Sequence, residues 1–175
     1  IASGTDPKEI AVLFRASFHS QALEMELVRR GIAYDYRGGL RFFDRAHVKD
    51  VLAFLRAWHN AHDVIAWGRI LFLQVGIGEK SAESCVQKIV SIEGDHISSA
   101  QLEAIALELP ARARVGFHEL IAVWKLLEKT DGTPTELIEA VAGSSYASYL
   151  EHEYQNADER TQDIEQMARL SAAEK

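Results

Sequence analysis

From residue 40 onward the apolar residues recur at spacings of three and four. Helix-start and helix-stop residues fall between the clusters, and no alternating run interrupts them. That period places apolar side chains along one stripe of an α-helix, so this part of the chain can bury its greasy residues only as helices packed on helices. Val48, Val51, Leu52 and Leu55 form one such face, with Asp44 placed to cap its start. Asp63 begins a helix through Trp67 and Leu71, and Ser81 begins another through Val86, Ile89 and Val90. Leu102, Ile105, Ala106 and Leu109 give a face that stops at Pro110, and Phe117, Leu120, Ile121, Trp124 and Leu127 give the next. Thr133-Pro134-Thr135-Glu136 matches a capping box with proline in the first turn, and Gly143 can end that helix. A last helix carries Ile164, Met167 and Ala168.

The first 37 residues follow another pattern. Ile10 to Phe14 is a continuous apolar run suited to a strand buried on both faces. Ser20 can start a helix carrying Leu23, Leu27 and Val28, with Gly31 at its C-terminal cap, and Ile32 to Tyr36 returns as a second strand before Gly38-Gly39. The expected fold is mainly α: a helical bundle over residues 38–175 preceded by a small strand-helix-strand α/β fragment over residues 1–37.

Charge is unevenly spread. The chain carries 19 Lys+Arg against 26 Asp+Glu, a formal net charge of −7, yet residues 37–56 hold five Lys/Arg and two Asp. Wound at about 100° per residue, Arg45, Lys49 and Arg56 fall within roughly 40° of one another and form a basic stripe beside the apolar one. Spacing alone favours a solvated face whose Lys and Arg stems cover the core edge. A local positive strip on an acidic chain also suits contact with an anion. Gly76-Ile77-Gly78-Glu79-Lys80-Ser81 is a second candidate. Two glycines let backbone N–H groups approach a phosphate, Ile77 anchors the loop, and Lys80 and Ser81 add polar groups. Taken alone, the Gly-x-Gly spacing is a weak signal and favours a plain interhelical turn.

Taken together, Ile10-Ala-Val-Leu-Phe-Arg-Ala-Ser17, Leu23-Glu24, Gly31-Ile32-Ala33-Tyr34, Gly38-Gly-Leu-Arg-Phe-Phe-Asp-Arg45, Asn60, Asp63, Arg69, Gly76-Ile-Gly78, Tyr146-x-x-Tyr149-Leu150 and Arg160-x-x-Asp163-Ile164-Glu165 form one series. It resembles the UvrD/Rep/PcrA family of superfamily 1 DNA helicases. The resemblance runs from the middle of the second motor domain (2A), which is RecA-like, into the inserted helical 2B subdomain. It implies residues 1–37 as a 2A fragment and 38–175 as a 2B-like subdomain, in a parent resembling an ATP-dependent 3′-to-5′ DNA helicase of DNA repair type. It implies that Arg15 and Ser17 approach single-stranded DNA, that Arg45, Lys49, Arg56, Gly76, Ile77, Gly78, Lys80 and Ser81 face duplex, and that Gly38-Gly39 lies near a hinge.

No Gly-x-x-x-x-Gly-Lys-Ser/Thr phosphate loop and no acidic Mg²⁺-binding box occur. The chain therefore reads as a piece of a longer helicase. No catalytic residue and no cofactor are expected in it, and ATP and Mg²⁺ are expected in the parent. The seven His lack a metal-ligand pattern and are read as surface or capping residues, so no metal is expected. Cys85 is the single cysteine, placed as a small core residue, and Trp58, Trp67 and Trp124 lie on apolar faces as core. Glu24 and Glu26 sit in a helix without a nearby nucleophile. No apolar run reaches the length of a membrane span, so no membrane partner is expected and the expected compartment is bacterial-type cytoplasm. DNA, as single strand and duplex junction, is the expected partner of the parent. Other readings are a protein-interaction or autoregulatory helical block with protein partners, and the equivalent region of a recombination helicase-nuclease subunit.

Overall fold

A computed structural model describes residues 4–16, 18–37 and 39–172. Two compact units divide the chain, Ile1–Arg45 and Ala46–Lys175. Ser17 and Gly38, both singled out above, lie outside the described residues.

The first unit contains one α-helix, α1 (Phe18–Arg29), with short 3-10 turns at Pro7–Glu9 and Phe42–Asp44. α1 ends as its sequence dictates. Gly31 adopts φ +63°, its N–H donates to Val28 O and that of Ile32 donates to Leu27 O, the paired bonds of a left-handed glycine cap. Glu24 is the polar centre of this unit. Its buried carboxylate accepts from Ser20 Oγ at 2.7 Å, Phe42 N at 2.9 Å and Tyr34 Oη at 3.2 Å, tying α1 to two later segments. Glu26, two residues on, instead holds Arg29 and Arg30, whose guanidinium groups lower its carboxyl to about 2.

The two expected strands are not formed: among the described residues no strand occurs, and Ile10 to Phe14 and Ile32 to Tyr36 run without regular structure. A strand exists only when a neighbour completes its ladder of backbone hydrogen bonds. These segments meet through the stacked rings of Phe14 and Tyr36, with centroids 5.7 Å apart, and not through a ladder. The apolar run is consequently open, with Leu13 94% exposed.

The second unit is a helical bundle of α2 (Ala46–His59), α3 (Val64–Phe72), α4 (Glu79–Val90), α5 (Ser99–Leu107), α6 (Ala111–Leu127), α7 (Pro134–Ala142), α8 (Ser145–Glu153) and α9 (Ala157–Ala172). α7 packs against α2, α6, α8 and α9, while α3 bridges α2 and α4. The indoles of Trp67 and Trp124 lie 4.7 Å apart, fully buried, and each N–H finds a carbonyl, Ala61 O and Ile97 O. Burial without an unmet donor is what makes tryptophan usable in a core.

Helix starts follow the sequence at α3 and α7 but not throughout: α1 begins at Phe18, ahead of the expected Ser20, and α2 begins at Ala46 directly after Arg45 and not after the expected cap Asp44. Asp63 caps α3 through Ala66 N, and Thr133 caps α7 through Glu136 N. Glu136 does not return to Thr133, however; its carboxylate accepts from Asp131 N at 2.6 Å. The complete capping box is Ser98 with Gln101, at the start of α5. α4 begins at Glu79 behind Gly78, two residues ahead of the start expected at Ser81.

His47 corrects its surface assignment. It is 3% exposed in α2, donates from Nε2 to Asp163 Oδ2 at 2.8 Å and accepts at Nδ1 from Arg160 at 2.9 Å. Because a guanidinium only donates, the ring proton sits on Nε2. Arg160 also lies 3.6 Å over the Tyr154 ring. One turn on, the buried carboxylate of Asp50 accepts from Arg69 Nε at 2.6 Å and from Tyr146 Oη at 2.8 Å. Arg69 adds a bond to Ala46 O. Burial, then the Asp50 charge, pushes the Tyr146 phenol far above its ordinary range, so it stays a donor, and burial takes Tyr149 up to about 12. These bonds fix α2 to α3, α8 and α9.

Two outcomes are expected. Tyr146→Phe leaves one buried Asp50 oxygen without its donor and costs about 1–3 kcal/mol in urea unfolding, with Asp50→Ala costing more. Burial pushes the Cys85 thiol up to about 11. At pH 8 it should therefore resist an aromatic disulfide reagent in the native chain and react promptly in urea.

Candidate nucleic-acid interface

The Gly76–Ser81 segment is the connection from α3 to α4, and α6 holds it in place. Ile77 N donates to Gln74 O, closing a turn in which Gly76 has φ +80°. A β-carbon on Gly76 would stand 2.4 Å from Arg112 O, and one on Gly116 would stand 2.2 Å from Val75 O. Both glycines are thus required by contact between the turn and α6, and at Gly76 by backbone conformation as well. Ile77 is buried beneath the turn, as its sequence position implied. Above it Gly78, Glu79 and Lys80 are exposed and Ser81 is half-buried.

α4 starts at this turn without a side-chain cap, since Gly78 has none to offer. The first N–H groups of a helix have no acceptor within it, and the helix dipole adds partial positive charge there. Lys80 supplies a full charge on an exposed side chain. The neighbouring Glu79 carboxylate opposes it. The arrangement can meet an anion through backbone donors and one ammonium, at modest strength.

The basic stripe is only partly assembled. Arg45 precedes α2 with extended backbone, φ −65° and ψ 139°, so helical winding does not carry it onto the stripe; its guanidinium stands 5.8 Å over the Phe42 ring. Lys49 is exposed on α2. Arg56 lies on the same side of α2, but its Nε and Nη2 both donate to Asp63 Oδ2 at 2.8 Å, which cancels most of its charge toward a partner. The same Asp63 caps α3, so the pair is part of the α2–α3 junction. Arg15 belongs to the first unit and is exposed at the end of the open apolar run.

Residues that the sequence reading passed over complete the picture. Gly116 reads as a glycine in mid-helix, and only the approach of Val75 reveals its use. Asp50 drew no notice on a helix read as basic, although its burial among apolar positions of α2 called for a donor. Among the described residues no group of three His, Cys, Asp or Glu converges to hold a metal ion, and no helix is long and apolar enough to cross a membrane.

Comparison with known proteins gives the family of the chain. A family model described as UvrD-like helicase C-terminal domain matches residues 2–106. The chain is 34% identical over 140 residues to the ATP-dependent DNA helicase UvrD1 of Mycobacterium tuberculosis, covering 76% of this chain and 18% of that protein. It is 38% identical over 76 residues to the ATP-dependent DNA helicase PcrA of Bacillus subtilis and to DNA helicase II of Haemophilus influenzae, in each case covering 43% of this chain and 10% of the relative. The chain thus spans less than a fifth of the length of these curated relatives. By the family match over more than half its residues, the chain belongs to the UvrD-like helicases, within their C-terminal domain.

Proposed function

We propose that this chain is part of an ATP-dependent 3′-to-5′ DNA helicase, in which residues 1–37 complete a RecA-like motor subdomain (2A) and residues 38–175 form the 2B-like helical subdomain that grips duplex DNA. The observation that carries this reading is the α3–α4 turn. Its backbone is fixed on α6 by two glycines, and its outer side offers uncapped N–H groups and Lys80. Contact with duplex phosphates needs a rigid row of donors and little else, because such contacts position a protein without reading sequence.

Lys49 extends the contact along α2, with Arg45 and Arg56 in lesser roles because one stands over an aromatic ring and the other is held by Asp63. Arg15, at the end of the open apolar run, approaches the single strand together with Ser17. That run is covered by the remainder of the motor domain, which supplies the ladder it lacks. ATP and Mg²⁺ act elsewhere in the parent: this chain has no phosphate loop, and its buried carboxylate Asp50 is committed to Arg69 and Tyr146. The chain alone accordingly hydrolyses no ATP, and its net charge of −7 keeps its own affinity for DNA weak and dependent on salt.

A second reading, a protein-interaction block, is favoured by one feature. The outward side of α3 and the turn beyond it leave Ile65, Phe72 and Val75 more than half exposed. Salt separates the two, since apolar docking survives it and phosphate contact does not.

In fluorescence anisotropy with a labelled duplex–single-strand junction, the double substitution Lys49→Glu/Lys80→Glu should weaken binding at low salt. It should also flatten the plot of log affinity against log salt by about two contacts' worth, at a slope of roughly 0.9 per phosphate, with Tm unchanged. Unaltered binding, or an equal loss of Tm, contradicts the assignment. Gly116→Ala should instead lower Tm and binding together, because it displaces the turn from α6.

A further inference from the structure

α6 opens with two arginines, Arg112 and Arg114, in a position where the helix dipole disfavours cations, and no acidic residue stands in its first turn. They are used differently. Arg114 is half-buried and turns back to close the α5–α6 connection, its Nη2 donating to Leu109 O at 3.0 Å and to Leu107 O at 3.3 Å. Arg112 is exposed, and its side chain meets no carboxylate or carbonyl among the described residues. Its placement is nonetheless tightly fixed. Its carbonyl and its Cγ lie 2.4 Å and 3.2 Å from where a β-carbon on Gly76 would stand, so its backbone and the root of its side chain are pressed against the turn. The guanidinium, a few bonds beyond Cγ, therefore starts its reach at the Gly76 end of the Gly76–Ser81 segment.

We infer that Arg112 is a further phosphate-binding residue of this interface. A duplex backbone lying over the α3–α4 turn is met from one side by Lys80 of α4 and from the other by Arg112 of α6. The inference rests on the duplex-grip reading above and adds to it a third element and a residue more than 30 positions away in sequence. The chemistry suits the place. Lys80 offers a mobile point charge, whereas a guanidinium whose stem is held presents paired donors that match two oxygens of one phosphate. With Arg114 engaged by carbonyls and Arg56 by Asp63, Arg112 is an exposed arginine placed to give this side of the bundle such a contact.

Arg112→Met keeps the apolar stem against Gly76 and removes the charge. Measured on the 175-residue chain with a labelled blunt duplex across a salt series, it should weaken binding several-fold at low salt. It should lower the salt slope by about one contact and leave Tm in place, with Arg112→Lys restoring the slope. If the unsubstituted chain binds duplex in a salt-dependent way and Lys80→Glu weakens it, but Arg112→Met changes neither affinity nor slope, the inference is overturned and the duplex-grip reading stands. If Arg112→Met lowers Tm in step with binding, the residue belongs to the fold and the inference is likewise overturned. If the unsubstituted chain shows no salt-dependent duplex binding, the duplex-grip reading fails first and the inference with it.

Discussion

Where α6 passes the turn between α3 and α4, the two backbones approach more closely than a β-carbon on either side would allow. Gly116 and Gly76 face carbonyls at distances that no alanine could occupy. Everything proposed for the interface depends on that contact. It turns a short connection into a platform whose outer N–H groups keep their positions, and it places the start of α6 beside the turn that leads into α4. Without it the turn would be an ordinary surface loop, with donors that reorganise on meeting an anion. Rigidity here comes from two missing side chains, so the contact is sensitive to very small substitutions.

The platform is in turn held by a polar network on the far part of α2. Asp50 is buried with Arg69 of α3 and Tyr146 of α8, and His47 is held between Asp163 and Arg160 of α9. A buried carboxylate is costly unless donors surround it; once they do, it selects one arrangement of the helices that bring them. Apolar faces at three-four spacing permit several packings of similar energy. The network discriminates among them, because a slipped helix strands a charge. Tyr146, Arg160 and Asp163 also belong to the series through which this sequence resembles its family, so that pattern reflects a requirement of packing as well as of function.

Local features were legible from sequence where their cause is local. Gly31 ends α1, Asp63 and Thr133 cap their helices, and the apolar stripes of α6 and α9 are buried as their spacing demands. What escaped depends on residues far away along the chain. Ile10 to Phe14 has the composition of a buried strand, but a strand is a property of its neighbours, and none pairs with it among the described residues. His47 lies 116 positions from the carboxylate it bonds, and Arg112 lies 36 from the glycine it presses on, separations at which spacing rules are silent. The basic stripe failed in part for a simpler reason: α2 starts at Ala46, one residue past Arg45, and Arg56 meets Asp63 across a helix junction.

Backbone amide shifts report on the turn without any substitution, which makes them the most direct probe of whether it meets DNA. Titrating the isotope-labelled chain with a short blunt duplex at low salt should move the amide signals of residues 77–82 and of Arg112 and Ala113 together, and raising the salt should return them. Shifts confined to other helices, or none at concentrations where the duplex is bound, would contradict the account.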